Sequence, residues 1–260
     1  MATGELVRMH EDLDRALQKK KSDRSWVMVV DMRKCIECHA CAVSCMAENV
    51  TPIGMSYRVV YGVESGDYPD LDRFPMPTNC QHCDDPPCKE ACDKHEKEAI
   101  KKRSDGIVIL NYEKLKKNPK AGEEAVKACP YTAISLDKGD FYTDGTPNIE
   151  PYETREFFEN GSKHTRKGKK LSGTIRKCTF CLHRLEAGLI PACVSTCIGR
   201  AMYFGDGRDP KSLVSELIGM SGTRRINESF GTSPRVYYVG YAPRKCCNIV
   251  SPASCTLCHE

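Results

Sequence analysis

No stretch of this 260-residue chain is apolar for long enough to cross a membrane as a helix. The longest apolar segments, such as Trp26 to Val30 and Arg235 to Tyr241, are strand-sized and far short of the roughly 20 residues that span a bilayer. There is no tail of single-sign charge and no low-complexity tract, so a polyelectrolyte arm and a disordered linker are both excluded. The opening segment, MATGELVRMHEDLDRALQKKK, holds neither a twin-arginine pair nor an apolar signal core. The expectation is a cytoplasmic chain, or one exported together with a signal-bearing catalytic partner.

What the chain has in excess is cysteine, 17 residues of it, far above ordinary usage. With 40% hydrophobic and 28% charged residues it is a globular protein of one or two domains, long enough to build a core without disulfides. The cysteine total is odd and many cysteines stand two or three residues apart, which fits metal ligation rather than a disulfide framework.

A formal charge of +4 and the run Lys163, His164, Arg166, Lys167, Lys169, Lys170 raise the question of nucleic acid. That count treats every cysteine as neutral. A 4Fe-4S cube with four thiolates carries about two negative charges when oxidised, so three of them bring the total to about −2. The basic run then reads as a solvated loop, and no nucleic-acid partner is expected.

Leu6, Met9, Leu13 and Leu17 recur at helical spacing and define an amphipathic N-terminal arm, packed either on its own chain or on a partner. Short strands are expected at Ser25–Asp31, Gly106–Leu110, Ala133–Leu136, Ala201–Phe204 and Arg235–Val239, too few for a large sheet. Asp209 as N-cap and Pro210 at the first helical position predict a helix through Ile218, ended by Gly219.

Cys35, Cys38, Cys41 and Cys45 follow the Cys-x2-Cys-x2-Cys-x3-Cys spacing of a bacterial ferredoxin. A tight loop sets three sulfurs on one cube, while the fourth cysteine, starting a helix, points towards a second cube. Zinc takes four ligands from two closely facing knuckles and has no use for a triplet plus an outlier. Cys80, Cys83, Cys88 and Cys92 repeat the pattern with a wider third gap stiffened by Pro86 and Pro87. Cys178, Cys181, Cys193 and Cys197 form the last motif, in which His183 is expected to hydrogen-bond rather than ligate. Cys129, followed by Pro130 and Tyr131, ends like a ferredoxin run, yet Pro119, Gly122 and Ala125 stand where its first three cysteines belong. That half-motif has lost its own cluster.

The segments VDMRKCIECHAC, NCQHCDDPPC, DGIVIL, ACPY, KCTFCLHRLEAGLIPACVSTC, YFGDGRDPKSLVSEL and GTSPRVYY resemble the iron–sulfur subunit of the dimethyl sulfoxide reductase (molybdopterin oxidoreductase) family over residues 26 to 240. The loss at Pro119, Gly122 and Ala125 is similar to the three-cluster subunit of pyrogallol-phloroglucinol transhydroxylase. Subunits of catechol dehydroxylases and respiratory arsenate reductases are also similar. The resemblance implies an α+β fold of two interleaved ferredoxin-like modules with a C-terminal extension. Its expected division is an arm at 1–25, a discontinuous module at 26–75 and 141–205, an inserted module at 76–140, and an extension with a Cys-rich tail at 206–260.

The resemblance also implies the wiring. Cys35, Cys38 and Cys41 with Cys197 hold one 4Fe-4S cluster, Cys178, Cys181 and Cys193 with Cys45 a second, and Cys80, Cys83 and Cys88 with Cys129 a third. Cys92 is left as a small buried hydrophobe. The implied role is outer-sphere electron transfer to or from a large molybdenum or tungsten bis-pterin subunit, with a membrane anchor or cytochrome as a further partner and no catalytic residue here. Arg33, Lys34, Arg176 and Lys177 beside the motifs either raise cluster potentials or are plain solvated charges.

The competing readings are a stand-alone polyferredoxin-type carrier, an enzyme acting at an exposed iron, and a zinc-bound interaction module. In the tail, Cys246, Cys247, Cys255 and Cys258 are a candidate additional metal site, and Cys255 to His259 matches the c-type haem attachment pattern without a distal ligand.

Overall fold

The segment Trp26–Asp31 is buried at every position, which suits a central strand covered on both faces. In the computed structural model, which describes residues 2–139, 151–154, 156–159, 162–165 and 171–240, this segment is strand β1. Helix α1 (Ala2–Leu17) precedes it, and α2 (Ala40–Asn49), β2 (Arg58–Ser65), β3 (Asp72–Asn79), α3 (Pro87–Asp93), β4 (Ile100–Lys102) and β5 (Val108–Leu110) follow. Next come α4 (Tyr112–Lys117), α5 (Pro119–Ala128), β6 (Ile134–Leu136), α6 (Pro151–Thr154), β7 (Glu156–Glu159), β8 (Ser162–Thr165) and β9 (Ile175–Lys177). The described chain closes with α7 (Leu182–Glu186), α8 (Ala192–Ser195), β10 (Met202–Asp206), α9 (Leu213–Ile218) and β11 (Val236–Val239). The content is α+β, and no described helix is long and apolar enough to cross a membrane.

The largest described sheet has the order β10-β1-β11, with β10 antiparallel and β11 parallel to β1. Side chains alternate along β1, so the two faces serve different neighbours. Met28 stands opposite Phe204, and Phe204 stacks on Trp26 at 5.4 Å and meets Phe180 edge-on at 5.2 Å. That face looks towards the cysteine loops. On the other face Val27 stands opposite Gly205, where a Cβ would come 3.1 Å from Val214 of α9. The glycine lets the helix close on the sheet.

Helix α1 lies on its own chain, with Met9, Leu13 and Ala16 buried. Asp12 accepts the Leu213 backbone N–H at 2.7 Å, Arg15 pairs with Asp209 at 3.1 Å and Lys19 with Asp206 at 2.7 Å. Helix α9 begins later than its sequence predicts. Asp209 is engaged by Arg15 and by the Lys211 N–H at 3.0 Å, so the chain turns there and Ser212 caps the helix instead, its hydroxyl accepting from Ser215 N–H at 3.2 Å. Gly219 follows the last helical residue, as expected. Helix α2 starts at Ala40, so Cys45 rides one turn beyond Cys41 rather than opening the helix.

The hairpin β2–β3 has no counterpart in the sequence expectations, because Pro75 and Pro77 argue against a strand. They stand opposite Gly62 and Val60 on β3, which pairs only with β2 among the described strands. An edge strand tolerates prolines at alternate positions, where the missing N–H groups face away from the partner.

A second core gathers Ile100, Val108, Leu115, Ala121, Ala125 and Ile175 from α4, α5 and the short strands around them. Asn111 caps α4 by accepting from Lys114 N–H at 3.1 Å. Pro119 then forces a break at Asn118 and opens α5.

Candidate metal centres

All thirteen cysteines among the described residues are free thiols. Twelve of them line three small cavities, four to each. The first cavity is lined by Cys35, Cys38, Cys41 and Cys197, with Ile36, Val60 and Met202. Cys45, Cys178, Cys181 and Cys193 line the second, beside Met28, Asn49, Arg58 and Asn79. The third is lined by Cys80, Cys83, Cys88 and Cys129, with Pro86, Pro87 and Tyr131. Among the described residues no three His, Cys, Asp or Glu side chains converge as a single metal ion requires, so each tetrad surrounds a volume rather than a point.

The three loops share a backbone device. The residue before the second cysteine is left-handed in each: Glu37 at φ 55°, His82 at φ 46° and Phe180 at φ 54°. Such a conformation is unfavourable for residues other than glycine, and its recurrence at one motif position marks a turn that wraps the chain around the cavity. The far ends match as well. Thr132 and Arg200, each three residues after the last cysteine, are left-handed at φ 48° and 52°. The next N–H donates back to sulfur, Ala133 to Cys129 Sγ at 3.5 Å and Ala201 to Cys197 Sγ at 3.2 Å. Cys129 thus ends its motif as Cys197 does, although Cys129 lacks a triplet of its own. Gly199 allows the turn after Cys197 to approach the first loop, since a Cβ there would collide with the Lys34 carbonyl.

Further donors aim at sulfur from side chains. Asn49 Nδ2 donates to Cys45 at 3.5 Å, Asn79 Nδ2 to Cys178 at 3.8 Å and Arg58 Nη2 to Cys193 at 3.6 Å, and Phe180 N–H donates to Cys178 at 3.4 Å. Burial pushes the Cys41 thiol up to about 11 and the Cys83 and Cys178 thiols to about 12, and raises Cys45, Cys88 and Cys181 as well. Left alone these thiols stay protonated at neutral pH; a cationic iron core reverses that preference and releases protons on binding.

The buried groups test the fit of a cluster. Arg58 is 1% exposed, and its Nε and Nη1 have no hydrogen-bond partner. An uncompensated buried charge costs several kcal/mol. The second cavity, which Arg58 lines, therefore suits an anionic group, and a 4Fe-4S cube on four thiolates carries about two negative charges. Donor set, sulfur-directed N–H groups and buried cation all fit such a cluster.

The four cations beside the motifs divide into pairs. Arg33 is held by Asp31 at 2.7 Å, and Lys34 by Glu5 at 3.0 Å, so carboxylates offset both. Arg176 and Lys177 are fully buried. Arg176 pairs with Asp137 at 3.3 Å and donates to the Asn49 carbonyl at 2.7 Å, whereas Lys177 Nζ donates to the carbonyls of Cys178, at 2.9 Å, and Val108. His183 meets Glu48 at 2.6 Å and lines none of the three cavities.

The three degenerate positions of the half-motif line none of these three cavities. Pro119, Gly122 and Ala125 lie in α5, and a Cβ on Gly122 would come 3.1 Å from Ile175 Cγ2. Cys92 is fully buried in the same apolar cluster, its thiol donating to the Glu96 carbonyl at 3.8 Å. Cys246, Cys247, Cys255, Cys258 and His259, and the side chains of the basic run, lie outside the described residues.

Sequence reasoning missed Arg58, Asn49 and Asn79. Asn79 directly precedes Cys80, and Asn49 stands four residues after Cys45, one helical turn on, which is the available signal for both. Arg58 has none, because its distance from any motif hides it.

Residues 71–143 and 154–207 match the family model described as a 4Fe-4S dicluster domain. The chain is 41% identical to a selenate reductase subunit of Mesobacillus selenatarsenatis over 235 residues, 90% of this chain and 78% of that protein. It is 34% identical to a tetrathionate reductase subunit of Salmonella typhimurium over 219 residues, 83% of this chain and 72% of the relative. With the arsenate respiratory reductase iron-sulfur subunit of Shewanella sp. it shares 32% identity over 234 residues, 82% of this chain and 94% of the relative.

Proposed function

The chain belongs to the family of iron–sulfur subunits of molybdopterin oxidoreductases, and from that premise we propose that it relays electrons through three 4Fe-4S clusters to or from a molybdenum or tungsten bis-pterin catalytic subunit. The observation that carries this reading is the set of three cavities, each lined by four cysteines drawn from two separate segments of chain.

Cys35, Cys38, Cys41 and Cys197 are the proposed ligands of the first cluster, Cys45, Cys178, Cys181 and Cys193 of the second, and Cys80, Cys83, Cys88 and Cys129 of the third. A bound cluster supplies reversible one-electron chemistry. The chain's own residues space and tune it. Cys41 and Cys45 sit one turn apart on α2 and Cys193 and Cys197 one turn apart around α8, so the first and second sites share two elements. The second and third meet where Asn79 reaches Cys178 from beside Cys80. The resulting order is first, second, third, and Cys38 is exposed at the first site. We further propose two interleaved ferredoxin-like modules, with the first and second clusters in one and the third in the other. A cytoplasmic location, or export on a signal-bearing catalytic partner, and a membrane anchor or cytochrome as additional partner belong to the same reading. The tail cysteines are proposed as at most one additional metal site, tested by truncation after Gly240, which lowers metal content if they bind and leaves it unchanged if they do not.

Anaerobic purification tests the main reading. The expected result is a brown protein with broad absorption near roughly 400 nm, copurifying with a large pterin-bearing chain. A colourless, zinc-loaded protein, or a fully metallated homomer with no larger chain, would overturn it.

A further inference from the structure

Arg58 opens β2, stands opposite Asn79 and lines the cavity of the second cysteine tetrad. Its guanidinium is enclosed: Nη2 donates to Met28 Sδ at 2.8 Å and to Cys193 Sγ at 3.6 Å, and Nε and Nη1 have no protein partner. Among the described residues no carboxylate pairs with it. Cys193 belongs to the second tetrad, and Arg58 lines that cavity itself, whereas the linings of the first and third cavities do not include it.

The contrast with other buried cations sharpens the assignment. Arg176 answers to Asp137 at 3.3 Å and is largely neutralised by it. Arg58 has only sulfur to answer to. A guanidinium cannot lose its proton at any working pH, so its field on the site is constant.

We propose that Arg58 is a positioning residue for electron transfer, a buried fixed cation that raises the reduction potential of the second cluster relative to the first and third. This rests on the three-cluster reading above. Each reduction adds one electron to a cluster, taken from its neighbour or from a chemical reductant, makes its net charge more negative by one, and moves no proton and breaks no bond. The guanidinium stabilises the added charge, and the N–H groups directed at sulfur do so further.

Redox titration of the anaerobically purified full chain, followed by electron paramagnetic resonance, tests this with Arg58→Met, which keeps an unbranched apolar side chain and removes the charge. The expected result is a tenfold or greater fall in the reduction equilibrium constant of one cluster, about 59 mV for a one-electron couple, with the other two moved by less. Arg58→Lys should restore it. Unchanged potentials at full iron content, or an equal shift of all three clusters, would overturn the proposal. If Arg58→Met cannot retain iron, Arg58→Lys decides: three clusters at near-native potentials support the charge, and loss of iron there too overturns it. Missing clusters in the unaltered chain would instead show that the three-cluster reading itself is wrong.

Discussion

Cys45 and Cys92 occupy the same step of two equivalent helices, each four residues after the third cysteine of its motif, and they do opposite things. Cys45 lines a cavity and accepts an N–H from Asn49, four residues on, at 3.5 Å. Cys92 sits in an apolar core and donates its thiol to the Glu96 carbonyl, also four residues on, at 3.8 Å. One sulfur is placed as a hydrogen-bond acceptor and its counterpart as a donor. The difference is made across the contact: Cys45 faces three other cysteines, while Cys92 faces α5, whose Ala121, Gly122 and Ala125 are buried against it. Where three cysteines are missing a helix fills the space, and that part of the second core is held by apolar packing.

Replacing sulfur on each side breaks the comparison most sharply. Cys45→Ala and Cys129→Ala should each lose one cluster, about four irons per chain by cluster stoichiometry, as read by iron and sulfide analysis. Asp137→Asn breaks the buried ion pair with Arg176 and should cost up to about 3–5 kcal/mol, measured by denaturant titration. Gly122→Val tests packing directly, since its Cβ would come 3.1 Å from Ile175, and overpacking should lower stability by about 1–3 kcal/mol. Cys92→Ala should have the smallest effect, about 1 kcal/mol for one buried heavy atom, with iron content unchanged. An iron loss in that variant would erase the distinction between the two helices.

The cysteine motifs were legible because cluster geometry restricts cysteine spacing, and spacing is a property of sequence, whereas the grouping of cysteines from different motifs around one cavity was legible only through the family resemblance. The degenerate site was legible only as missing sulfur; that α5 fills it depends on Gly122 meeting Ile175, more than fifty residues away. The hairpin β2–β3 was hidden by Pro75 and Pro77, which a paired edge strand tolerates but a local reading does not. Helix α9 was placed to its correct end and given the wrong start, because Arg15 of α1 competes for the carboxylate expected to cap it. Arg58 stayed hidden for the same reason in stronger form, since nothing in its neighbourhood announces the sulfurs it meets through folding.

The central claim is that sulfur geometry here supports three clusters and that Cys92 takes no part in ligation. Iron and acid-labile sulfide per chain, measured side by side on fully reconstituted native protein and on Cys92→Ala, tests it most directly. The account predicts about twelve irons in both. About sixteen irons in the native chain, falling to about twelve in Cys92→Ala, would contradict it.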